Sequence, residues 1–366
     1  MVKRVLIIGG YGNFGSFIAR RLSQERGVRV VVAGRSKEKA RALAESLDVE
    51  WAAIDIDHDL ARSLEQIRPD IVIHTSGPYQ RQGYHVAEAC IRHKCHYIDL
   101  ADAREFVTQI GRLGETAKSA GVLVVSGASS VPALTSAIVD KYRGEFETLD
   151  AISYGIATAQ QTNRGLATTS AVLSYAGKPF KTPIDGRLKD VYGWQDLHFR
   201  KFQHLGWRAL GNCDIPDLDL FPQRYPGLRT IRFYAGLEVA AVHIGLWLLT
   251  WLVRFGVIES LDGAAPVLLK LARRFDRFGT DNSGFYMELA GIDATGKPKK
   301  LVFNLTATFG DGPFIPCMPA IVLALALARD EIRQRGAFPC VGLVDFDTLI
   351  GSFKGLNIDW HLSGEA

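Results

Sequence analysis

Apolar positions in the first third of the chain fall into short runs separated by stretches of one-sided helical spacing. The runs are residues 5–8, 28–33, 49–54, 70–75, 95–98 and 122–126. Each has the length of a strand, and their mostly apolar character suits strands buried on both faces of a sheet. Between them, Phe14, Phe17, Ile18 and Leu22 share one helical face. So do Ala40, Leu43, Ala44 and Leu47, and then Leu60, Leu64 and Ile67. Residues 86–91 and 105–117 predict two further helices. Strands alternating with helices predict an α/β fold, a doubly wound parallel sheet with helices on both faces.

The pattern changes after residue 130. Residues 149–157 read as a strand and Leu166–Tyr175 as a helix, while 177–228 show no clear period. Residues 284–294 and 297–309 alternate apolar and polar around Asp293-Ala294-Thr295-Gly296, which predicts an antiparallel hairpin. A helix over 320–333 follows Pro316 and Pro319. The expected organisation is a nucleotide-binding domain over 1–130, an α+β substrate and dimerisation domain with a mainly antiparallel sheet over 131–318, and a C-terminal helix and tail over 319–366 packing back on the first domain. One run, residues 239–253 (VAAVHIGLWLLTWLV), is apolar for about 15 positions around His243. It is short of the roughly 20 residues of a spanning helix. A buried helix, a dimer contact, a membrane-surface contact and a wall for an apolar substrate are the readings open to it.

Composition narrows the class. The 366 residues are 47% hydrophobic and 22% charged, enough for real cores. A net charge of +4 without a basic run gives no sign of nucleic-acid binding. Five scattered cysteines, Cys90, Cys95, Cys213, Cys317 and Cys340, form no CxxC pair, so neither a disulfide framework nor a metal site is expected. The chain enters its first strand almost at once, so no signal peptide and a cytoplasmic location are expected.

The chemistry concentrates in the turn after the first strand. VLIIGGYGNFG places Gly9, Gly10, Gly12 and Gly15 between a strand and a helix. In that context glycines let the backbone approach a pyrophosphate, and the helix start offers free N–H groups. Gly10, Gly12 and Gly15 give one spacing and Gly9, Gly12 and Gly15 another; Asn13 and Phe14 open the helix under both. Beyond the second strand, Gly34-Arg35-Ser36-Lys37 stands where an NAD-binding chain usually carries an acid. Arg35, with Ser36 and Lys37, suits a ribose 2′-phosphate, so NADP is the expected cofactor and NAD the second reading. Asp55, ending the third strand, is placed for the adenine edge. In a doubly wound sheet the loop after the fourth strand, Ser76-Gly77-Pro78-Tyr79, faces the glycine turn across the ligand. The 127–132 loop aims a helix start, with Ser130, toward a nicotinamide or a substrate carboxylate.

Several segments together resemble the saccharopine dehydrogenase-like oxidoreductases. They are VLIIGGYGNFG, SGPYQRQGYHVAEACIRHKCHYIDL at 76–100, AGVLVVSGASSVPALTS at 120–136 and RGLATTSAVLSYAGKP at 164–179. The resemblance implies a Rossmann-type first domain and NAD(P)-dependent hydride transfer, with Tyr79, Tyr97 and Asp99 near cofactor or substrate. These three, together with His96, are the positional candidates for a proton donor. An amino-acid substrate would want an arginine clamp. Arg164 is the first candidate for it and Arg200, Arg208 and Arg232 are helpers. The apolar 239–253 run favours a small, less polar substrate in the cleft between domains, and a homodimer. The competing reading is an NADP-binding sensor or scaffold without turnover, peripheral to a membrane.

Overall fold

The computed structural model describes residues 2–162 and 165–365. The chain divides into two compact units, Met1–Ala137 with Pro313–Phe353, and Ile138–Gly312 with Lys354–Ala366.

The first unit carries a seven-stranded sheet. In chain order its first six strands are β1 (Lys3–Ile8), β2 (Val28–Gly34), β3 (Glu50–Ala53), β4 (Ile71–His74), β5 (His96–Asp99) and β6 (Leu123–Ser126). The order across the sheet is Gly336–Pro339, β6, β5, β4, β1, β2, β3, with every neighbour parallel. Val5–Ile8 and Ile71–His74 are buried throughout, as strands covered on both faces should be. Helix α1 (Asn13–Ser23) buries Gly15, Ile18, Ala19 and Leu22. The helix Met318–Ala328 is apolar on nearly every side and packs against α1, β4 and β5. Beside it Phe17 and Phe314 stack with ring centroids 4.1 Å apart. The single helix expected over 105–117 is instead three short pieces, Arg104–Thr108, Ile110–Leu113 and Gly114–Ser119. Gly111 and Gly114 cost a continuous helix too much backbone entropy to hold it together.

The second unit holds a mixed sheet. Its strands are β7 (Thr148–Thr158), β10 (His198–Phe202), β11 (Gly206–Asn212), β12 (Thr230–Leu237), β13 (Ser283–Ile292), β14 (Pro298–Ala307) and the terminal Ile358–Glu365; β8 (Pro179–Ile184) and β9 (Arg187–Tyr192) form a separate hairpin. The order is β10, β11, β12, β7, β13, β14, Ile358–Glu365. Only β12 and β7 run parallel. The hairpin expected around residues 293–296 joins β13 to β14. The stretch 177–228, aperiodic in sequence, contains four strands. Arg187–Asp190 is exposed on both faces, so no alternation could mark it. The C-terminal region expected to pack wholly on the first unit divides. Residues up to Phe353 belong there, whereas Ile358–Glu365 extends the second sheet alongside β14, where its main-chain groups find ladder partners.

Candidate functional site

The carboxyl ends of β1, β2, β4, β5 and β6 are Ile8, Gly34, His74, Asp99 and Ser126. Ligands of doubly wound sheets bind at this edge, beside the reversal of strand order between β1 and β4. The glycine turn sits there, and it is tight. Gly9 has φ +78°, and a Cβ on it would come within 2.5 Å of Ser76 Oγ and 2.7 Å of Thr75 Oγ1. A Cβ on Gly15 would meet Gly9 O at 2.3 Å, and one on Gly10 would meet Ile7 O at 2.9 Å. Gly12 opens α1 with extended backbone and no side chain caps the helix. The N–H groups of Phe14 and Gly15 in its first turn therefore have no intrahelical partner. The structure thus brings together the glycine turn and the Thr75–Ser76 loop. Gln82 holds that loop by donating from Nε2 to Ser76 O (2.6 Å) and Pro78 O (3.2 Å), and Gly77 and Pro78 lie within this clamp.

At the end of β2, Arg35 is exposed and carries no hydrogen bond or ion pair among the described residues; its charge is felt at Asp55. Ser36 caps the helix Lys37–Leu47, its Oγ accepting from Lys39 N and donating to Glu38. Lys37 Nζ lies 5.8 Å from the Trp51 ring centroid. Asp55 accepts from Asp57 N and lies 3.3 Å from His58. One participant escaped the sequence. Tyr11 lies against the Cα of Gly34, leaving no room there for a Cβ, and its hydroxyl accepts from Ser36 N at 2.9 Å. The glycine turn and the Arg35 turn are tied through this ring. Tyr11→Phe should destabilise the domain by about 1 kcal/mol, the cost of leaving a half-buried N–H unpaired. Urea unfolding measures it, and an unchanged midpoint would refute the link.

The candidates from β4 and β5 also converge, on a buried cluster. Tyr79 donates to His74 O at 2.6 Å, and Tyr97 Oη lies 3.1 Å from His74 Nδ1. Burial raises both phenols well above their ordinary range. Asp99 Oδ1 accepts from Ala101 N, Ser126 Oγ and Gly127 N, at 2.8–3.0 Å. Asp99 Oδ2 and His74 Nε2 are buried without hydrogen-bond partners. Burial pushes the Asp99 carboxyl up to about 6, against the pull of those donors, and His74 down to about 3. His74 was legible only as a strand residue. His96 stands apart, at the amino end of β5, where its Nδ1 accepts from Leu123 N; it is at the wrong edge of the sheet to meet a cofactor. Ser130 is half-buried at the turn after β6. Arg164 lies outside the described residues.

In the second unit, Arg200 pairs with Glu288 at 2.6 Å and Arg208 with Glu238 at 3.1 Å, so neither guanidinium is free for a clamp. Arg232, bonded to Asp196 and Asn212, lines a pocket of about 610 Å³ with Tyr192, Trp247, Trp251 and Arg254. No group of three or more potential metal ligands occurs among the described residues.

Residues 5–125 match the saccharopine dehydrogenase NADP binding domain family. The first unit is therefore similar to a saccharopine dehydrogenase NADP binding domain. Its glycine turn, where an added Cβ would meet main chain, α1 without a side-chain cap, and the exposed Arg35 are compatible with that cofactor. The whole chain has a saccharopine dehydrogenase-like fold. The apo saccharopine dehydrogenase (L-Glu forming) of Saccharomyces cerevisiae superposes with a TM-score of 0.72 at 14% identity, covering 99% of this chain and 100% of that one. A lipid droplet localized protein of Caenorhabditis elegans is 29% identical over 144 residues, 35% of this chain and 34% of that protein. A trans-acting enoyl reductase of Mycobacterium leprae is 30% identical over 137 residues, 35% of this chain and 33% of that protein. These matches span about a third of the relatives' own length.

Proposed function

We propose that the chain is an NADP-dependent oxidoreductase. The observation that carries this is the glycine cradle built against Thr75 and Ser76 and joined through Tyr11 to Gly34 and Ser36, the turn that carries an unpaired Arg35. NADP bound there supplies a hydride donor or acceptor at the carboxyl edge of the sheet. The chain's own part is to hold the pyrophosphate on main-chain N–H groups and the 2′-phosphate on Arg35, Ser36 and Lys37. Gly9, Gly10, Gly12, Asn13, Phe14 and Gly15 form the first contact set. Ser76, Gly77 and Pro78 form the facing wall, and Asp55 borders the adenine. Asp99 acts as a positioning residue, fixing the Ser126–Gly127 turn through two hydrogen bonds and its own following loop through a third, from Ala101 N. The relatives named enoyl reductase and lipid droplet localized protein support a small apolar substrate, reduced at an activated double bond.

Arg35→Asp is expected to weaken NADPH binding at least about tenfold more than NADH binding, since it removes a charge-assisted bidentate contact present only with the 2′-phosphate. Fluorescence titration with both cofactors measures this. Equal losses would end the role given to Arg35, and failure of the parent chain to bind either cofactor would end the reading.

One observation favours a second reading, NADP binding without turnover. The hydroxyls of Tyr79 and Tyr97 are engaged within the protein, and burial disfavours their ionisation. A chain that binds NADPH tightly yet oxidises none of it with enoyl thioesters or imines would decide for a sensor or scaffold.

A further inference from the structure

The helix Ala240–Arg254 is built inside out. Of its residues only His243, Thr250 and Val253 are buried, two of them polar. His243 Nδ1 accepts from Leu237 N, and its ring lies 4.9 Å from that of Trp194. Thr250 receives a weak bond from Gln195. Two of its leucines point the other way: Leu248 is 57% exposed and Leu252 is exposed as well, followed by Phe255 at 73% and Val257. Trp247 and Trp251 flank this face, half-exposed. In water such a face is unfavourable, and a stripe of this length calls for a partner.

The next helix repeats the pattern with charge added. In Ala265–Arg273 only Ala265 is buried. Val267 and Leu271 are exposed on it one turn apart, and Phe275 and Phe278 are exposed just beyond its end. Lys270, Arg273, Arg274 and Arg277 are exposed along one edge of that stripe, and none enters an ion pair among the described residues. Arg277 lies over the Phe278 ring at 4.6 Å. The acids nearby are fewer. Asp276 accepts from Gln160 on the inner side, and Glu259 and Asp262 sit in the loop before the helix. Exposed aliphatic and phenyl groups edged by unpaired long cations are the composition of a helix lying in a lipid interface. The cationic side chains can reach headgroups while their stems stay with the apolar face. Their charge is complementary to anionic headgroups, whereas a second copy of this face would bring like charges together. No helix among the described residues is long and apolar enough to cross a membrane.

We propose that the exposed face of residues 244–278 docks on an anionic phospholipid surface. The test is flotation of the full chain with phosphatidylcholine vesicles, with and without phosphatidylglycerol, at low and high salt. Two sets of exposed positions are varied: Leu248→Glu, Val267→Glu and Phe278→Glu together, and Lys270→Glu with Arg274→Glu. NADPH titration of every variant reports on folding of the first unit, and circular dichroism reports on the second. The chain is expected to float with the anionic vesicles and much less with phosphatidylcholine alone. Each variant set should lower vesicle binding at least about tenfold with NADPH affinity unchanged. Three results overturn the proposal: the chain stays with the soluble fraction on both vesicles, the apolar variant floats like the parent, or the parent is a dimer that the apolar variant splits without any vesicle binding. The last would make the face a contact between copies. Because cofactor binding is read separately, failure here leaves the NADP reading standing, and the reverse holds too.

Discussion

Alanine at Gly15 is expected to abolish useful cofactor binding while leaving a folded protein. The added methyl would lie 2.3 Å from Gly9 O and 2.7 Å from Gly10 Cα. Both obstacles are main chain, so no rotamer can relieve them, and the glycine turn itself must move. That turn is already held on its far side, because Gly9 packs on Thr75 and Ser76 and Gly10 N donates to Ala33 O at 2.9 Å. Overpacking of this kind costs about 1–3 kcal/mol of stability. The larger effect falls on the ligand, because the N–H groups that would cradle a pyrophosphate shift together. NADPH affinity should drop about 100-fold, about 2.7 kcal/mol. Gly114→Ala is the control: it lies in a helix and nothing stands within 4 Å of its added methyl, so it should be neutral or slightly stabilising. Fluorescence titration and urea unfolding of both variants decide the matter. A Gly15→Ala protein that binds NADPH like the parent would remove the turn from the site.

The parts of this molecule that sequence reveals are those where one physical demand dominates. Strands β1, β4 and β6 are covered on both faces, so apolar runs mark them. The glycine turn is visible because steric closeness leaves one residue type able to fill it. Arg35 stands out through the missing acid at the end of β2. What escapes detection answers to several weaker demands. The edge strand Gly336–Pro339 is four residues with a glycine and a proline, and only its pairing with β6 makes it a strand. Tyr11 looks like filler inside the glycine motif until the fold brings it against Gly34. His74 belongs to an apolar run, and nothing local says that its ring closes a cluster with Tyr79 and Tyr97. The helix Ala240–Arg254 misleads for a different reason. A composition apolar on all sides fits a buried helix, but this sheet needed only one narrow face of it.

The buried pair His74 and Asp99 should give the first unit a pH profile that single substitutions can take apart. His74 titrates near 3 in the fold and near 6.5 when unfolded. Its folded value is depressed, and the neutral ring is what the fold accepts. That contribution is intact above about pH 6.5 and is lost as pH falls toward 3, about 5 kcal/mol in all. Asp99 runs the other way, near 6 in the fold against 3.8. Its folded value is raised, so the ionised carboxyl is a burden above pH 6 that protonation lifts as pH falls to about 4, about 3 kcal/mol. Between pH 6.5 and 4 these two largely cancel, and below that the His74 contribution goes on falling while that of Asp99 is level; His96, lowered to about 4 by burial, adds a further loss over the same range in every variant. Asp99→Asn keeps an oxygen for Ala101, Ser126 and Gly127 but cannot titrate, so its stability should decline steadily from pH 6.5 downward. His74→Gln should do the opposite and gain stability relative to the parent between pH 6 and 4. Urea midpoints of the three proteins across that range are the measurement. Parallel profiles for parent and Asp99→Asn would show that the carboxyl is not carried into the fold against its burial, and would also remove the electrostatic reason for its three hydrogen bonds.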